Sequence, residues 1–389
     1  MEERKRVRIL SVDGGGIRGI IAAVVLTRLE QAIRERTGDP AASVASCFDL
    51  VAGTSTGAIL TAMLLAPGSG GGAGSVRKVT GGETDPSPKV TGGETDPAPK
   101  RSVEQPGPAY SAADVRDLYV THGNEIFNRS LRRNWLGIRY LFNATRYSPA
   151  KLEALLHEKF GDLQMSQLIR PCIITAYSLT EGRALFYSSR ESGAGAEIKA
   201  HLVREVVRGS TAAPLTFPPA MVRSLATGSS AINIDGGVFA NNPAMCAYAE
   251  ARTMEFPDRG AGRPGAAGMV MLSIGNGAPP PGSNREHLGR RRGIIPWARN
   301  IPPIMLDGAL DTVSYQTELL FGSVSERSPR NYLRVDVPPP LRHSFYNADM
   351  TDASPANIGR LVEAGEAAAT HAFNSGAVTL NDIVDQLID

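Results

Sequence analysis

The stretch RILSVDGGGIRGIIAAVVL, residues 8–26, joins an apolar strand-like run to an apolar helix-like run through consecutive glycines. Gly14, Gly16 and Gly19 fit the spacing G-x-G-x-x-G, which in a dinucleotide-binding fold marks the loop that holds the pyrophosphate. Backbone N–H groups at the start of a helix also bind other negative charge. The stretch therefore predicts a strand, an anion-binding loop and a helix, and it leaves two uses of the loop open.

A second stretch, FDLVAGTSTGAILTAMLLA at residues 48–66, has the same order of strand, small-residue turn and helix. It contains G-x-S-x-G, formed by Gly53, Ser55 and Gly57. A nucleophilic serine on such a turn needs strained backbone angles and little bulk on either side, which explains glycines two before and two after it. The pattern predicts Ser55 as a nucleophile on an elbow made by Gly53 and Gly57, although a plain loop closing a βα unit also fits it.

A serine hydroxyl needs a base, and Asp235 is the best placed candidate. It ends the short apolar run of AINIDGGVFANNPA, residues 231–244, and two glycines follow it. Active sites of open α/β sheets form at the carboxyl ends of strands. Alone, the pattern also fits a surface Asp-Gly turn; together with Ser55 it predicts a Ser–Asp pair.

The spacing of acidic residues decides between the two uses of the first glycine loop. A dinucleotide site needs an acidic residue about 20 positions after the glycines, at the end of a second strand. Here Glu35 and Asp39 fall at a helix end and in the turn beyond it, before any second strand. Main-chain N–H groups on a glycine loop serve equally well as an oxyanion hole for an ester carbonyl. We therefore favour the oxyanion hole over the nucleotide site.

Strand-like and helix-like segments alternate along the chain, which predicts an α/β fold with helices flanking a mostly parallel central sheet. The predicted strands are Val7–Val12, Phe48–Ala52, Pro171–Tyr177, Ala231–Ile234, Met269–Ile274 and Tyr332–Val337. The predicted helices are Ile20–Arg36, Thr56–Ala66, Ala112–Phe127, Pro149–Lys159, Ile198–Arg208, Pro243–Glu255, Ile304–Ser325 and Ala356–Phe373.

Residues 67–108 interrupt this alternation with Gly- and Pro-rich sequence that includes the duplication VTGGETDPSPK and VTGGETDPAPK. Segments poor in core-forming residues seldom fold, and two copies are too few for a solenoid. We expect residues 1–389 to form one domain and 67–108 to be a disordered insertion.

Composition excludes several classes of partner and site. A net charge of +2 is too small to indicate nucleic-acid binding. Cys47, Cys172 and Cys246 show no C-x-x-C spacing, so neither disulfides nor a zinc site is expected, and no calcium-ligand loop is present. No signal-peptide pattern or membrane-length apolar run occurs. We expect a cytoplasmic protein whose contact with a membrane would be peripheral.

Two segments combine basic and aromatic residues: SLRRNWLGIRYLF at 130–142 and GRRRGIIPWARN at 289–300. Such composition suits a lipid interface, where cations meet phosphate and aromatic rings lie at the depth of the head groups. A solvated loop and a helix with its aromatics packed inward would explain it equally well. The two segments leave membrane contact as an open expectation.

Three motifs in a fixed order resemble those of the patatin-like phospholipases, lipid acyl hydrolases with a Ser–Asp dyad: DGGGIRG at 13–19, GTSTG at 53–57 and DGG at 235–237. Further similarity covers most of the chain outside 67–108 and is closer to the plant patatins than to distant members. It runs through YSPAKLEALLHEKFGD, LVREVVRGSTAAPLTFPPA and IDGGVFANNPAMCAYAEA. One departure is Ala58, where many relatives have a second glycine after the elbow.

The resemblance implies a role for each motif. Ser55 would be the nucleophile, Asp235 its base, and the backbone of Gly14, Gly15 and Gly16, with Arg18 nearby, the oxyanion hole. The substrate would be a membrane lipid or lipid ester, cleaved through an acyl-enzyme without a metal or other cofactor.

Two alternatives remain open at this point. One is an α/β-hydrolase esterase whose Ser-Asp-His triad would use His287, His343 or His371. The other is a storage protein or regulated effector with low basal activity. The sequence leaves open the head group, the acyl position, an activator and the oligomeric state.

Overall fold

A sheet of parallel and antiparallel strands forms the centre of the protein. The computed structural model describes residues 5–68, 107–127, 145–189, 200–277, 294–323, 331–339, 346, 347 and 349–388, with only the backbone of 294–300, 302 and 303. Its strands within these ranges are β1 Val7–Val12, β2 Leu50–Thr54, β3 Cys172–Ser178, β4 Arg183–Ser188, β5 Ala220–Arg223, β6 Ser230–Asp235, β7 Glu255–Phe256, β8 Ala261–Gly262, β9 Met269–Ile274 and β10 Tyr332–Val335.

The eight-stranded sheet has the order β10-β9-β1-β2-β3-β6-β5, with β4 also paired to β3. Strands β10, β9, β1, β2 and β3 are parallel. Strands β4 and β6 run antiparallel to β3, and β5 runs antiparallel to β6. The separate pair β7 and β8 forms a short antiparallel hairpin. The carboxyl ends of the five parallel strands therefore meet at one edge of the sheet.

Helices connect the strands and cover both faces of the sheet. Those in the described residues are α1 Gly19–Thr37, α2 Val44–Cys47, α3 Thr56–Leu65, α4 Ala112–Ile126, α5 Ala150–Phe160, α6 Val203–Ser210, α7 Gly237–Ala240, α8 Ala244–Ala251, α9 Ile294–Gly322, α10 Pro355–Asn374 and α11 Leu380–Ile388. Helix α1 ends where Gly38 adopts a left-handed φ of 67° and its N–H donates to Arg34 O at 2.9 Å, a conformation that favours glycine.

Alternating residues of the strands pack into two cores, one on each face. Leu10 and Val12 of β1 belong to the larger core, with α1, α3, α4 and α10. Val7 and Ile9 of the same strand belong to the smaller core, with α8 and Phe321 of α9. Because both faces are covered, the strands read as continuous apolar runs in the sequence, which is typical of parallel sheets.

The predicted fold class, an α/β protein with a mostly parallel central sheet flanked by helices, is confirmed. Strands β1 and β9 have the predicted bounds, whereas β2 begins two residues later than predicted. The prediction missed β4, β5 and the two-residue strands β7 and β8. Strand β5 is only four residues long and alternates buried with exposed positions, and four of the six residues of β4 are exposed or half-buried. Neither strand is buried along its whole length as β1 and β9 are.

The ends of the predicted insertion lie side by side. Pro67 and Pro108 form an antiparallel bridge, and the Gly68 N–H donates to Gly107 O at 2.7 Å. Residues 69–106, including both copies of the duplication, lie outside the described residues. The two ends of the predicted insertion therefore meet at one point, after α3 and before α4.

The described residues contain no helix that is long and apolar enough to cross a membrane.

Candidate active site

Ser55 lies on the turn between β2 and α3 with a strained backbone. Its φ of 54° and ψ of −119° are conformations that a residue with a β-carbon seldom adopts. The surrounding structure holds this turn: the Ser55 N–H donates to Ser210 Oγ at 2.8 Å, and the Ser55 carbonyl accepts from the Ala58 N–H at 2.9 Å. The turn therefore presents the Ser55 side chain at the carboxyl edge of the parallel strands.

The two glycines that flank Ser55 allow the backbone to approach closely. A β-carbon at Gly53 would lie 2.3 Å from Gly57 O, and one at Gly57 would lie 2.2 Å from Val12 O. Both distances are far below van der Waals contact with backbone atoms that cannot move independently. Glycine is needed at 53 to close the turn on itself, and at 57 to pack α3 against the end of β1.

Asp235 contacts Ser55 directly. The Ser55 hydroxyl donates to Asp235 Oδ2 at 2.5 Å, and Asp235 Oδ1 accepts the Gly237 N–H at 2.7 Å. Both residues are buried, with 9% of Ser55 and 5% of Asp235 exposed. Burial raises the pKa of Asp235 to about 6, against the opposing effect of the two hydrogen bonds. The carboxyl group therefore changes charge close to neutral pH, as a general base must.

The register of β6 on β3 brings Asp235 to Ser55. Strand β6 is antiparallel to β3 but pairs only with the last three residues of β3, so its own carboxyl end still lies near the carboxyl edge of the parallel strands. Asp235 pairs with Ala176 of β3, one residue beyond Thr175, which pairs with Thr54 of β2. Ser55 and Asp235 consequently lie at the same level along β3. The structure brings the predicted Asp235 beside Ser55 at the end of a strand, and that strand is antiparallel to its neighbour β3.

The first glycine loop lies beside Ser55, and its three amides differ. The Gly14 N–H already donates to Asn241 O at 2.9 Å, while Asn241 Nδ2 donates to Gly14 O at 3.2 Å. The N–H groups of Gly15 and Gly16 have no acceptor among the described residues. A β-carbon at Gly14 would lie 3.1 Å from Ser55 Cβ. Of the three predicted donors, Gly15 and Gly16 are open, and Gly14 is engaged in fixing the loop.

Arg18 ends the short 3-10 turn that follows these glycines. The side chain is 6% exposed, its Nη1 donates to Gly277 O at 2.5 Å, and its Nε has no partner. Burial lowers the pKa of Arg18, while Tyr346, Asp336 and Asp307 oppose that effect. Arg18 thus lines the cavity, with acidic groups close enough to oppose the effect of its burial.

Asp13 and Arg334 anchor the start of the glycine loop, a pairing that the sequence did not reveal. Arg334 Nη1 and Nη2 donate to the two Asp13 carboxylate oxygens at 2.9 and 2.5 Å. Asn276 Nδ2 also donates to Asp13 O at 2.5 Å. Burial raises the pKa of Asp13 to about 6 despite the opposing effect of Arg334. These partners come from the ends of β9 and β10, which are distant in sequence.

A cavity of about 890 Å³ opens over Ser55 and Asp235. The glycine loop and Arg18 form part of its wall. Buried side chains of α3, α4 and α5 line the cavity, as do polar groups that follow β9 and β10. Such a volume suits a ligand much larger than an ester group alone.

The predicted histidine partners do not join this site within the described residues. His371 is exposed on α10 and does not line the cavity. His287, His343 and the basic and aromatic segment 130–142 lie outside the described residues; the segment 289–300 is described only as the backbone of the first turns of α9. The Ser55 hydroxyl donates its hydrogen bond directly to Asp235, so no imidazole lies between the two groups.

Metal-ligating side chains do not cluster in the part of the chain that the structure describes: no group of three or more His, Cys, Asp or Glu there could hold an ion. Cys47, Cys172 and Cys246 are free thiols whose pKa values burial raises. Raised pKa values keep the thiols protonated and unreactive at neutral pH.

Fold and site together define an α/β protein with a serine on a strained strand-to-helix turn and a buried carboxylate as its hydrogen-bond partner. The chain belongs to the patatin-like phospholipase family, whose model matches residues 10–248. Membership of this family implies a hydrolase that acts on ester bonds. The family predicted from the three motifs is therefore confirmed.

Several plant patatin-like proteins are similar to the chain. Patatin-like protein 4 of Arabidopsis thaliana is 28% identical over 376 residues, which cover 92% of this chain and 82% of the relative. Patatin-like protein 2 of Oryza sativa subsp. indica is 28% identical over 385 residues, 94% of this chain and 84% of the relative. Probable inactive patatin-like protein 9 of Arabidopsis thaliana is 28% identical over 346 residues, 86% of this chain and 76% of the relative.

Proposed function

We propose that the chain is a lipid acyl hydrolase that cleaves fatty-acyl esters of membrane lipids with Ser55 as nucleophile and Asp235 as general base. The observation that carries the proposal is the direct hydrogen bond from the Ser55 hydroxyl to the buried Asp235 carboxylate at 2.5 Å. A positioned base within hydrogen-bond reach is what a serine requires to attack an ester.

Acylation begins when Ser55 Oγ attacks the carbonyl carbon of the ester and Asp235 Oδ2 takes its proton. The proton then passes from Asp235 to the departing alcohol oxygen, and the fatty acyl group stays on Ser55 as an ester. In the second half a water molecule gives a proton to Asp235 and attacks the acyl carbon; Asp235 then returns that proton to Ser55 Oγ as the bond from Oγ to the acyl carbon breaks, which releases the fatty acid and restores the Ser55 hydroxyl. A pKa of about 6 leaves Asp235 mostly ionised at pH 7 and able to return the proton.

The oxyanion of each tetrahedral intermediate is assigned to the open N–H groups of Gly15 and Gly16. Gly15 and Gly16 line the cavity, and main-chain donors fixed in place before reaction stabilise developing charge without reorganisation. The Arg18 side chain adds positive charge to the same wall of the cavity. The Gly14 N–H contributes by holding the loop against Asn241 instead.

Exposed apolar side chains at the mouth of the cavity support contact with a lipid surface. Leu215 is 76% exposed and Met305 is 63% exposed, although both also line the cavity. Leu215 adopts a φ of 68°, a strained conformation for a leucine, and such strain concentrates at functional sites. Val238 is a third exposed apolar residue on the same rim. Leu215→Asp in an inactive Ser55→Ala background is expected to lower co-sedimentation with phosphatidylcholine vesicles.

The decisive experiment measures fatty-acid release from a p-nitrophenyl fatty-acyl ester and from mixed lipid vesicles, without added metal. The proteins are the wild type, Ser55→Ala, Asp235→Asn and a Ser46→Ala control. Ser46 is an exposed serine that does not line the cavity, and its hydroxyl accepts from the Ser43 N–H and donates to Ser43 O at the start of α2. We expect activity in the wild type and in Ser46→Ala, and background rates in both site variants, with circular dichroism confirming that all four fold.

Other outcomes would point elsewhere. Loss of turnover on substitution of His287, His343 or His371 in a folded protein would replace the dyad with a triad. The proposal would be contradicted if the wild type released no fatty acid from any ester, or if Ser55→Ala released it at the same rate as the wild type. Either result would favour a storage or effector role.

A further inference from the structure

Both open donors of the glycine loop belong to peptide groups whose carbonyl oxygens are held by other residues. A trans peptide group is planar, so its C=O and the N–H that follows point in opposite directions. The Gly15 N–H therefore shares a plane with Gly14 O, and the Gly16 N–H shares a plane with Gly15 O. The residues that bind those two oxygens consequently set the direction of the two N–H groups.

The two carbonyl oxygens are held in different ways. Gly15 O accepts the Arg18 N–H at 3.2 Å, a bond that closes the 3-10 turn. Gly14 O accepts from Asn241 Nδ2 at 3.2 Å, a residue 227 positions away. No main-chain N–H among the described residues donates to Gly14 O. The Gly16 N–H is thus directed by local backbone, whereas the Gly15 N–H is directed by one distant side chain.

Asn241 binds both polar groups of Gly14. Its carbonyl accepts the Gly14 N–H at 2.9 Å, and its side-chain amide donates to Gly14 O. A β-carbon at Gly14 would lie 2.4 Å from Asn241 Oδ1, so only glycine allows this close approach. Glycine has more conformational freedom than other residues, so the peptide between Gly14 and Gly15 rotates easily unless a hydrogen bond restrains it. Rotation would turn Gly14 O toward the place of the Gly15 N–H, and a carbonyl oxygen there would repel an oxyanion.

Asn241 lies on the short segment that also carries the base. Residues 235–241 begin with Asp235 and include the helix α7. Ala240 O accepts the Thr54 hydroxyl at 2.7 Å, and Thr54 is the residue before the nucleophile. One segment therefore carries the base, contacts the nucleophile turn and holds the glycine loop.

We propose that Asn241 is a positioning residue whose side-chain amide sets the direction of the Gly15 N–H for binding of the oxyanion. The inference rests on the proposed function, because that function assigns the oxyanion to Gly15 and Gly16. Asn241 lines the cavity, yet its Nδ2 is bonded to Gly14 O, so it acts through the glycine loop and not on the substrate. It thereby ties the placement of an oxyanion donor to the segment that carries Asp235.

Two substitutions remove the side-chain donor. Asn241→Ala deletes it, and Asn241→Asp keeps the shape but places an acceptor against Gly14 O. The main-chain bond from the Gly14 N–H to the carbonyl of residue 241 remains possible in both, so the loop stays attached. With a p-nitrophenyl fatty-acyl ester we expect kcat to fall about 100-fold, the lower end for loss of one oxyanion donor, with KM unchanged. The pH midpoint that Asp235 sets should not move in Asn241→Ala.

Asn331→Ala is the matched control. Asn331 Nδ2 also donates to a main-chain oxygen, Ala266 O at 3.0 Å, but this residue does not line the cavity. We expect the kcat of the wild type in this variant even though it loses a buried hydrogen bond. The proposal would be overturned by an unchanged kcat in either Asn241 variant, by a change in KM alone, or by an equal fall of kcat in Asn331→Ala.

A tetrahedral adduct measures the oxyanion contact directly. Ser55 Oγ adds to the carbonyl carbon of a fatty-acyl trifluoromethyl ketone, the hydroxyl proton passes to Asp235, and the carbonyl oxygen becomes the oxyanion. The inhibition constant of this ketone should rise in Asn241→Ala by the factor by which kcat/KM falls. The inhibition constant of the matching secondary alcohol, which forms no adduct, should stay the same. An unchanged constant for the ketone would contradict the role of Asn241.

Hydrogen exchange separates this inference from the proposed function, because it needs no turnover. The Gly14 and Arg18 N–H groups are hydrogen-bonded in the loop, and their exchange should quicken in Asn241→Ala but not in Asn331→Ala. Hydrolysis by the wild type, with equal exchange in Asn241→Ala, would overturn the inference and leave the proposed function standing. Absence of hydrolysis, with faster exchange in Asn241→Ala, would contradict the proposed function and keep Asn241 as the residue that holds the loop.

Discussion

Two neighbouring turns of the same kind do opposite things with their side chains. The turn after β1 and the turn after β2 each join a parallel strand to a helix, and Val12 pairs with Gly53, so Gly14 lies level with Ser55. The second turn places a side chain at that level at the cost of a strained backbone. The first removes side chains and leaves the N–H groups of Gly15 and Gly16 open. One strand-turn-helix design thus supplies a nucleophile in one case and main-chain donors in the other.

The two turns also differ in what holds them. The glycine loop depends on distant partners, chiefly the Arg334 guanidinium on Asp13, whereas the Ser55 turn is closed by its own glycines and by Ser210. Each turn has a buried aspartate whose pKa burial raises to about 6, Asp13 for the loop and Asp235 for the serine. Only Asp13 has an arginine partner. Changes at the two turns should therefore affect stability in different ways.

The largest effect on stability is expected for Arg334→Gln, which leaves Asp13 buried without its partner. Loss of one member of a buried ion pair costs about 3–5 kcal/mol of unfolding free energy. The pKa of Asp13 would rise further above its unfolded value, so the deficit should be largest above that pKa and shrink as the pH falls and the carboxyl protonates. Urea denaturation at pH 5 and pH 8 measures both.

Arg28→Gln serves as the control for that substitution. Arg28 and Glu366 form an exposed pair at 3.7 Å, and such pairs contribute about 0–1 kcal/mol. A comparable loss in both variants would show that Arg334 has no special role in holding the loop.

Asp235→Asn is expected to raise the free energy of unfolding, whereas Arg334→Gln lowers it. Because the folded pKa of about 6 exceeds the ordinary value of 3.8, the ionised carboxylate destabilises the fold at pH 7. The shift corresponds to about 3 kcal/mol, so the amide should raise the free energy of unfolding by up to that amount while it abolishes the general base. The gain should disappear below about pH 4, where the carboxyl is protonated in both states.

Asp114→Asn is a control of reversed sign, since hydrogen bonds from Ser111 lower the pKa of Asp114 at the start of α4. That variant should be less stable than the wild type at pH 7.

In the wild-type enzyme kcat/KM should fall tenfold per pH unit below about pH 6, as Asp235 protonates. A flat profile down to pH 4.5 would rule out Asp235 as the base.

Gly57→Ala breaks the contact between the two turns. The new β-carbon would meet Val12 O at 2.2 Å, and overpacking of this kind costs about 1–3 kcal/mol. Displacement of Ser55 from the oxyanion donors by about 1 Å should lower kcat by about 100-fold. Gly359→Ala is the control, because Gly359 on α10 has nothing within 4 Å of a β-carbon, and its stability should rise by about 0.5–1 kcal/mol. Equal activity of both variants would contradict the contact.

The smallest effect is expected from the segment that belongs to neither turn. Replacement of residues 69–106 by a Gly/Ser linker of half the length should stabilise the fold by about 0.6 kcal/mol, because the entropic cost of closing a loop falls by that amount when its length is halved. The paired ends at Pro67 and Pro108 should keep α3 and α4 in place, so the rate of ester hydrolysis should not change. A large rise in that rate would instead indicate that the insertion restrains the enzyme.

Sequence patterns predicted the parts of the site in which a single residue carries its own signal. Gly53 and Gly57 predict a crowded turn around Ser55, and the two glycines that follow Asp235 indicate that it lies at a strand end. The anchoring role of Arg334 had no such signal, because its partner Asp13 lies 321 positions away and an arginine near a strand end is common. Ser210 was equally hidden, since its role is to accept one N–H from the Ser55 turn.

The sequence alone determined the α/β fold class, the family, the bounds of β1 and β9, and the choice of Ser55 and Asp235, because these depend on local periodicity and on residue types at fixed spacing. Tertiary structure decided that β6 runs antiparallel, that its register on β3 sets Asp235 level with Ser55, and that the Gly14 N–H is taken by Asn241. It also decided that acidic residues of α9 face the same cavity as the glycine loop. Strand direction and side-chain pairing over hundreds of residues follow from how the layers pack, and no local pattern records them.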